Sequence, residues 1–124
     1  LMGKMFTMLA NSRSSVMYFS DHGLIRNPQR AVVYSHGNVN PPREALHIPV
    51  FIWYGHQVKK DKQYTGEYNT TWSADDVNTL AELWLGIHRQ EQPFQSLPSW
   101  LDGYDKNVSV LDTTGKTYYW SNIH

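Results

Sequence analysis

The chain contains no cysteine among its 124 residues, and it carries no excess of either charge. The lack of cysteine excludes a disulfide framework and a thiolate metal site, while it leaves the cellular compartment open. Its 11 basic and 11 acidic residues give a formal net charge of zero. This balance argues against a nucleic-acid-binding protein, because such proteins normally present a basic surface.

Long apolar runs are also absent from the sequence. No run approaches the roughly 18 residues expected of a membrane span. Residues 1–9 show no charged leader followed by an apolar block, so no secretory signal is predicted there. These residues enter a helical pattern at once, and we therefore expect the chain to begin inside a structural element.

The composition that is present is typical of a globular domain. Apolar residues make up 40% of the chain and charged residues 18%, which favours a folded core over disorder. The length allows one domain with a core of modest size. Because neither an internal repeat nor a linker divides the sequence, residues 1–124 are predicted to form one partial domain.

The spacing of apolar residues predicts an α/β fold with helices covering a mainly buried sheet. Residues 2–9 place apolar side chains at i, i+3, i+4 and i+7, which indicates a helix. The apolar runs Val16–Phe19 and Ile48–Tyr54 predict two strands, and the first is expected to be buried on both faces. Between them, residues 24–46 form a long connection with a weak strand signal at 31–34.

The second half of the chain predicts a helix followed by a β-hairpin. Ser73 is a good helix cap, with two aspartates in the first turn beside the positive end of the helix dipole. The runs Val108–Leu111 and Thr117–Trp120 flank a turn sequence and predict the hairpin. One helical face is predicted to consist of Val77, Leu80, Ala81, Trp84, Ile87 and His88.

The strongest candidates for chemistry are Asp21 and His22, just beyond the end of the first predicted strand. Ligand sites of open α/β sheets lie at such strand ends, and Gly23 permits a sharp turn there. A carboxylate oxygen and an imidazole nitrogen are normal zinc ligands, although zinc takes at least three protein donors. His36, fourteen positions further on, is a candidate second-metal ligand or phosphoryl contact, and His47 is a weaker candidate.

Simpler interpretations stand beside these. An Asp-His-Gly sequence also occurs in ordinary turns, and His36 also fits a loop residue bonded to the backbone. The mixed-sign run at 59–62 is interpreted as a solvated loop. Three other histidines are interpreted as structural or surface residues: His56, His88 and His124.

Four sequence blocks in order resemble the sulfatase-like domain of bacterial phosphoethanolamine transferases, within the alkaline phosphatase/sulfatase superfamily. They are YFSDHG at Tyr18–Gly23, SHG at Ser35–Gly37, HIPVFIW at His47–Trp53 and SADDV at Ser73–Val77. The resemblance covers residues 1 to about 88. The first two blocks are shared across the superfamily, and the last two point more narrowly to the transferases.

The resemblance implies the C-terminal part of a three-layer α/β/α domain of the alkaline phosphatase type. It implies transfer of phosphoethanolamine from phosphatidylethanolamine to a lipopolysaccharide or another envelope glycan, in two steps through a phosphorylated threonine. Asp21 and His22 would be zinc ligands, and His36 would contact a second metal or the substrate phosphate. The protein would lie at the periplasmic face of the inner membrane, anchored by a region before residue 1.

The same resemblance implies that the threonine nucleophile and the remaining zinc ligands precede residue 1. We therefore expect the isolated chain to bind zinc weakly and to be inactive. Leu24 stands where related proteins often have glutamate, and residues 26–30 are atypical. A noncatalytic binding or packing module is one alternative, and Leu24 favours it. A sulfatase or phosphodiesterase using calcium or a metal pair is another alternative. The sequence leaves the oligomeric state open.

Overall fold

The computed structural model describes residues 1–26, 34–35, 40–93 and 96–124, which contain both helices and strands. The described residues of 1–37 and 42–65 form one compact unit, and those of 38–41 and 66–124 form a second. The prediction of a single domain stays a prediction. The elements are α1 (Met2–Leu9), β1 (Ser15–Phe19), β2 (Ile25–Arg26), β3 (Tyr34–Ser35), α2 (Arg43–Leu46), β4 (Val50–Tyr54), α3 (Val77–Leu85), α4 (Leu97–Asp102), β5 (Ser109–Leu111) and β6 (Thr117–Tyr119), with 3-10 turns at Lys60–Lys62, Ala74–Asp76 and Trp120–Asn122.

In the first unit, α1 packs on an antiparallel pair of strands. β1 pairs with β4 so that Tyr18 lies opposite Phe51. The Phe6 ring of α1 stacks on Trp53 at a centroid distance of 5.0 Å and meets Phe51 edge-on at 6.2 Å. Such aromatic pairs add to the stabilisation from buried area. The helix predicted at residues 2–9 and both predicted strands are confirmed.

The expectation that the first strand is buried on both faces is wrong within the described residues. Tyr18 is 37% exposed and Phe19 is 44% exposed. In the part of the chain that the structure describes, β1 pairs with β4 and the sheet has two strands. The apolar run therefore predicted the strand correctly, but it did not predict how far the strand is buried.

The long connection between these strands contains further regular structure. β2 pairs antiparallel with β3, and α2 follows before β4. Neither β2 nor α2 has a predicted counterpart. Of the strand signal at 31–34, Tyr34 lies in β3, and the other three residues lie outside the described residues.

In the second unit, α3 begins as predicted and ends earlier than predicted. The Ser73 hydroxyl accepts a hydrogen bond from the Asp75 amide at 3.2 Å, and a 3-10 turn leads into the helix. Gly86 adopts the left-handed conformation with φ of 72° and caps the helix end. Ile87 and His88 therefore lie beyond α3, and the prediction that they belong to its apolar face is wrong.

The core of this unit is formed by α3, α4 and the C-terminal segment. Its buried apolar residues are Leu80, Leu83, Leu97, Trp100, Leu101 and Ile123. Trp100 meets Trp72 and Tyr104 edge-on at 5.6 and 5.5 Å. Burial, followed by the hydrogen bond that the Tyr104 hydroxyl donates to Asp76, raises the pKa of Tyr104 to about 12.

β5 and β6 pair antiparallel around a turn organised by Asp112. Asp112 Oδ1 accepts hydrogen bonds from the Thr114 hydroxyl, the Thr114 amide and the Lys116 amide, and Oδ2 accepts one from Tyr118. These bonds, led by that of the Thr114 hydroxyl, lower the pKa of Asp112 to about 2. Throughout the described ranges, no helix has the length and apolarity needed to cross a membrane.

Candidate metal centre

Asp21 and His22 lie on the segment that leaves the carboxyl end of β1. This end of β1 lies beside the amino end of β4, because Phe19 is opposite Val50 in the antiparallel register. We call residues 21–23 the Asp21–Gly23 loop. Its position therefore depends on the pairing of two strands that are about 30 residues apart in sequence.

The backbone of α2 lies directly against Gly23. The Gly23 amide donates a hydrogen bond to the Ala45 carbonyl at 3.0 Å. A Cβ atom on Gly23 would lie 2.2 Å from the Glu44 carbonyl oxygen and 2.8 Å from the Ala45 carbonyl carbon. Glycine is thus required here because backbone fills the space that any side chain would need.

The ring of His22 is oriented by the main chain of the same loop. Its Nδ1 lies 2.9 Å from the Gly23 carbonyl oxygen, and a carbonyl can only accept, so Nδ1 carries the proton. In the neutral ring, Nε2 then carries the lone pair, and it faces Asp21 Oδ1 at 3.6 Å. A histidine whose Nδ1–H is held by a carbonyl is the usual arrangement for binding a metal through Nε2.

The separation of the two donor atoms is compatible with two ligands of one zinc ion. Neighbouring donors of a tetrahedral zinc, each about 2.1 Å from the metal, lie about 3.4 Å apart. The separation of Asp21 Oδ1 from His22 Nε2 is 3.6 Å. The Asp21 side chain is 88% exposed and that of His22 is 40% exposed, so a cation has access to both. At this exposure the contact between the two side chains contributes little to stability.

Two donors do not complete a zinc site, which takes at least three from protein. Among the described residues, no group of three His, Cys, Asp or Glu side chains is placed to hold a metal ion. His36, the predicted second-metal or phosphate contact, lies outside the described residues. The roles predicted for Asp21, His22 and His36 stay predictions.

The other histidines lie at the surface. His47 follows α2 directly, and its amide donates to the Arg43 carbonyl at 2.8 Å. His56, His88 and His124 are exposed, which agrees with their interpretation as surface residues.

Sequence reasoning missed the contact of the loop with α2. The Asp-His-Gly sequence signalled a turn, but the requirement for Gly23 comes from α2, which begins twenty residues later. No local sequence pattern around Arg43–Leu46 predicts that this backbone lies against Gly23.

Comparison with known proteins assigns the chain to a family. The family model described as Sulfatase matches residues 1–87, and the chain therefore belongs to the sulfatase family. Members of this superfamily are metal-dependent. The resemblance noted from the sequence is confirmed at this level, and the mixed helices and strands agree with an α/β sulfatase-like domain.

Two known proteins are similar to this chain over most of its length. The chain is 38% identical over 112 residues to "Putative transferase YhbX" of Escherichia coli strain K12, and equally to the protein of that name from Escherichia coli O157:H7. The match covers 90% of this chain and 20% of each relative. The chain thus spans about a fifth of the length of these relatives. No solved structure matches it.

Proposed function

We propose that this chain is the C-terminal part of a zinc-dependent phosphoethanolamine transferase, and that Asp21 and His22 supply two of its metal ligands. The observation that carries the proposal is the 3.6 Å separation of Asp21 Oδ1 and His22 Nε2, with Nδ1 held by the Gly23 carbonyl. The transferase activity is supported by the similarity to a protein titled a putative transferase.

Each residue of the loop has a distinct role in this proposal. Asp21 supplies a negatively charged oxygen donor. His22 supplies a neutral nitrogen donor whose direction is set by its Nδ1–H bond to a carbonyl. Gly23 allows the loop to lie against α2, and the hydroxyl of Ser20 donates to the His22 carbonyl at 2.7 Å and fixes the backbone between them.

Bound zinc would supply positive charge that lowers the pKa of a hydroxyl nucleophile and stabilises the oxygens of the transferring phosphoryl group. In this proposal the nucleophile is a threonine outside this chain, and His36 contacts the phosphoryl oxygens or a second metal. A covalent intermediate divides one difficult displacement into two easier ones.

The substrates and the location are proposed on the resemblance alone. Phosphatidylethanolamine is the donor, and a lipopolysaccharide or another envelope glycolipid is the acceptor. In this proposal the protein acts at the periplasmic face of the inner membrane, where a membrane region before residue 1 anchors it.

The test replaces each proposed ligand in the full-length protein and measures both zinc content and phosphoethanolamine transfer. Asp21→Asn and His22→Gln are expected to lower zinc affinity at least about 100-fold, since loss of an outer-shell partner alone costs 10–100-fold. Asp105→Asn and His124→Gln are the matched controls, because both residues are exposed and lie outside the Asp21–Gly23 loop. Unchanged zinc content and transfer in Asp21→Asn would leave only a noncatalytic role for this chain.

A hydrolase of the same superfamily is the second candidate, because the matching family is described as Sulfatase. Such an enzyme transfers the group to water rather than to a glycan. Release of free phosphoethanolamine or sulfate without modified glycan, or activity restored by calcium rather than zinc, would favour the hydrolase over the transferase.

A further inference from the structure

A cleft with a volume of about 360 Å³ lies at the end of the β1–β4 pair opposite to the Asp21–Gly23 loop. Ser15 and Tyr54 pair at this end of the strands, and Phe19 and Val50 pair at the other. Four steps of about 3.4 Å separate the two ends, so the cleft lies roughly 14 Å along the strands from the loop. Its volume falls within the range of about 300–1,000 Å³ that is typical of small-molecule sites.

The charge of this cleft is of one sign. Arg13, Lys59 and Lys62 line it, and no carboxylate does. Within the described part of the chain, none of the three forms an ion pair. The chain as a whole has no net charge, so the positive potential here comes from local clustering.

The backbone that carries these cations is held in place by hydrogen bonds between the α1–β1 connection and the segment after β4. The amides of Gly55, His56 and Gln57 donate to the carbonyls at positions 14, 10 and 12, at 2.7, 2.7 and 3.3 Å. Gly55 is buried, and a Cβ atom there would lie 2.4 Å from the Ser12 carbonyl oxygen. The two segments therefore approach too closely to admit a side chain, and the cleft does not depend on one mobile loop.

Neutral donors complete the lining. The Tyr54 hydroxyl accepts a hydrogen bond from the Tyr64 amide at 3.0 Å, which orients the phenol. A tyrosine hydroxyl is protonated at neutral pH and can donate there, and burial raises the pKa of Tyr54 further. Gln57 also lines the cleft, and its side chain has two amide N–H donors.

We propose that this basic cleft binds a phosphate group carried by a larger molecule, with Arg13, Lys59 and Lys62 contacting its oxygens. A carboxylate carries one charge, whereas a phosphate monoester carries about −1.5 to −2 at neutral pH and offers three oxygens, which suits three cations. The planar guanidinium of arginine matches two phosphate oxygens at once. The proposal is independent of the proposed metal centre, because the two sites share no residue.

The first test is a titration of the chain with inorganic phosphate, followed by the shifts of backbone amide signals in NMR spectra. Phosphate is expected to shift the amide signals of residues 55–59 in a saturable way. Sodium chloride at equal ionic strength is expected to produce no such shifts. Arg13→Gln and Lys62→Gln are expected to raise the Kd for phosphate about tenfold each, since a hydrogen bond to a charged group is lost.

Lys60→Gln is the matched control. Lys60 lies in the same 3-10 turn as Lys62 and carries the same charge, but it does not line the cleft. It is expected to change the Kd less than about twofold, since Lys60 makes no direct contact with the bound phosphate and exposed charges interact weakly through solvent. If Lys60→Gln weakens binding as much as Lys62→Gln, or if phosphate shifts do not saturate, the attraction is diffuse and the proposal is overturned. Circular dichroism of each variant checks that the fold is retained.

The source of the phosphate is decided by two further probes. Tighter binding of glucose 6-phosphate than of inorganic phosphate, lost in Arg13→Gln, assigns the cleft to a phosphorylated glycan. Binding to phosphatidylcholine vesicles only when they contain phosphatidic acid, again lost in Arg13→Gln, assigns it to a lipid headgroup. If neither probe binds more tightly than free phosphate, a phosphate on a larger carrier is excluded.

Discussion

Replacing Gly23 by alanine tests whether the contact with α2 positions the candidate metal centre. The added methyl group would lie 2.2 Å from the Glu44 carbonyl oxygen and under 3 Å from two atoms of Ala45. Real Cβ atoms do not approach backbone so closely, and the neighbours are main chain rather than flexible side chains, so the loop must move. Overpacking of this kind costs about 1–3 kcal/mol, and the hydrogen bond from the Gly23 amide to Ala45 is worth about 1 kcal/mol more. The variant is therefore expected to lose about 2–4 kcal/mol of stability.

Urea unfolding followed by tryptophan fluorescence measures this loss, with Gly3→Ala as the matched control. Gly3 lies in the first turn of α1 with no atom within 4 Å of an added Cβ, so the same substitution there should not destabilise the chain. In the full-length protein, Gly23→Ala should also lower zinc content, because the loop carries both proposed donors. A Gly23→Ala variant as stable as the unchanged protein would show that α2 does not hold the loop, and the reasoning would fail.

Two further predictions concern the second unit. Leu83 is 1% exposed, so Leu83→Ala should lower the free energy of unfolding, measured in urea, by about 2–5 kcal/mol. Leu85 is 63% exposed, so Leu85→Ala should lower it by well under 1 kcal/mol. Equal losses of stability in the two variants would contradict the described core. Asp112 has its pKa lowered to about 2 by the hydrogen bonds of its turn, so its contribution to stability is complete above its unfolded-state pKa of about 3.9. That contribution should disappear as the pH falls toward 2. The stability difference between the unchanged chain and Asp112→Asn, measured by urea unfolding from pH 5 to pH 2, should narrow over that range, and a constant difference would count against the described turn.

A helix or strand can be predicted from the sequence where the apolar residues follow a single period. Helix α1 has its apolar residues at helical spacing and no competing signal, so its bounds were predictable. Helix α4 has no predicted counterpart, and its sequence contains Pro98. It occupies the first turn of α4 after the Ser96 cap, and proline is tolerated there because its lost N–H would be unpaired in any case.

Contacts between elements that are far apart along the chain could not be predicted from the sequence. The two strands were predicted individually, but their antiparallel register depends on contacts between Ser15–Phe19 and Val50–Tyr54. For the candidate metal centre, the residue types at 21 and 22 indicated zinc chemistry. That these side chains turn toward each other depends on the hydrogen bond from His22 Nδ1 to a carbonyl, which no spacing rule supplies.

The antiparallel pair also explains why the two candidate sites are chemically separate. The carboxyl end of β1 carries the acidic and imidazole donors, whereas its amino end meets the carboxyl end of β4 and the basic residues that follow it. Basic side chains within a few ångströms of Asp21 would pair with its carboxylate, since opposite charges at that distance attract strongly. At roughly 14 Å, beyond the Debye length of about 8 Å at physiological ionic strength, each keeps its own partner. Zinc removal should therefore leave the phosphate affinity of the cleft unchanged.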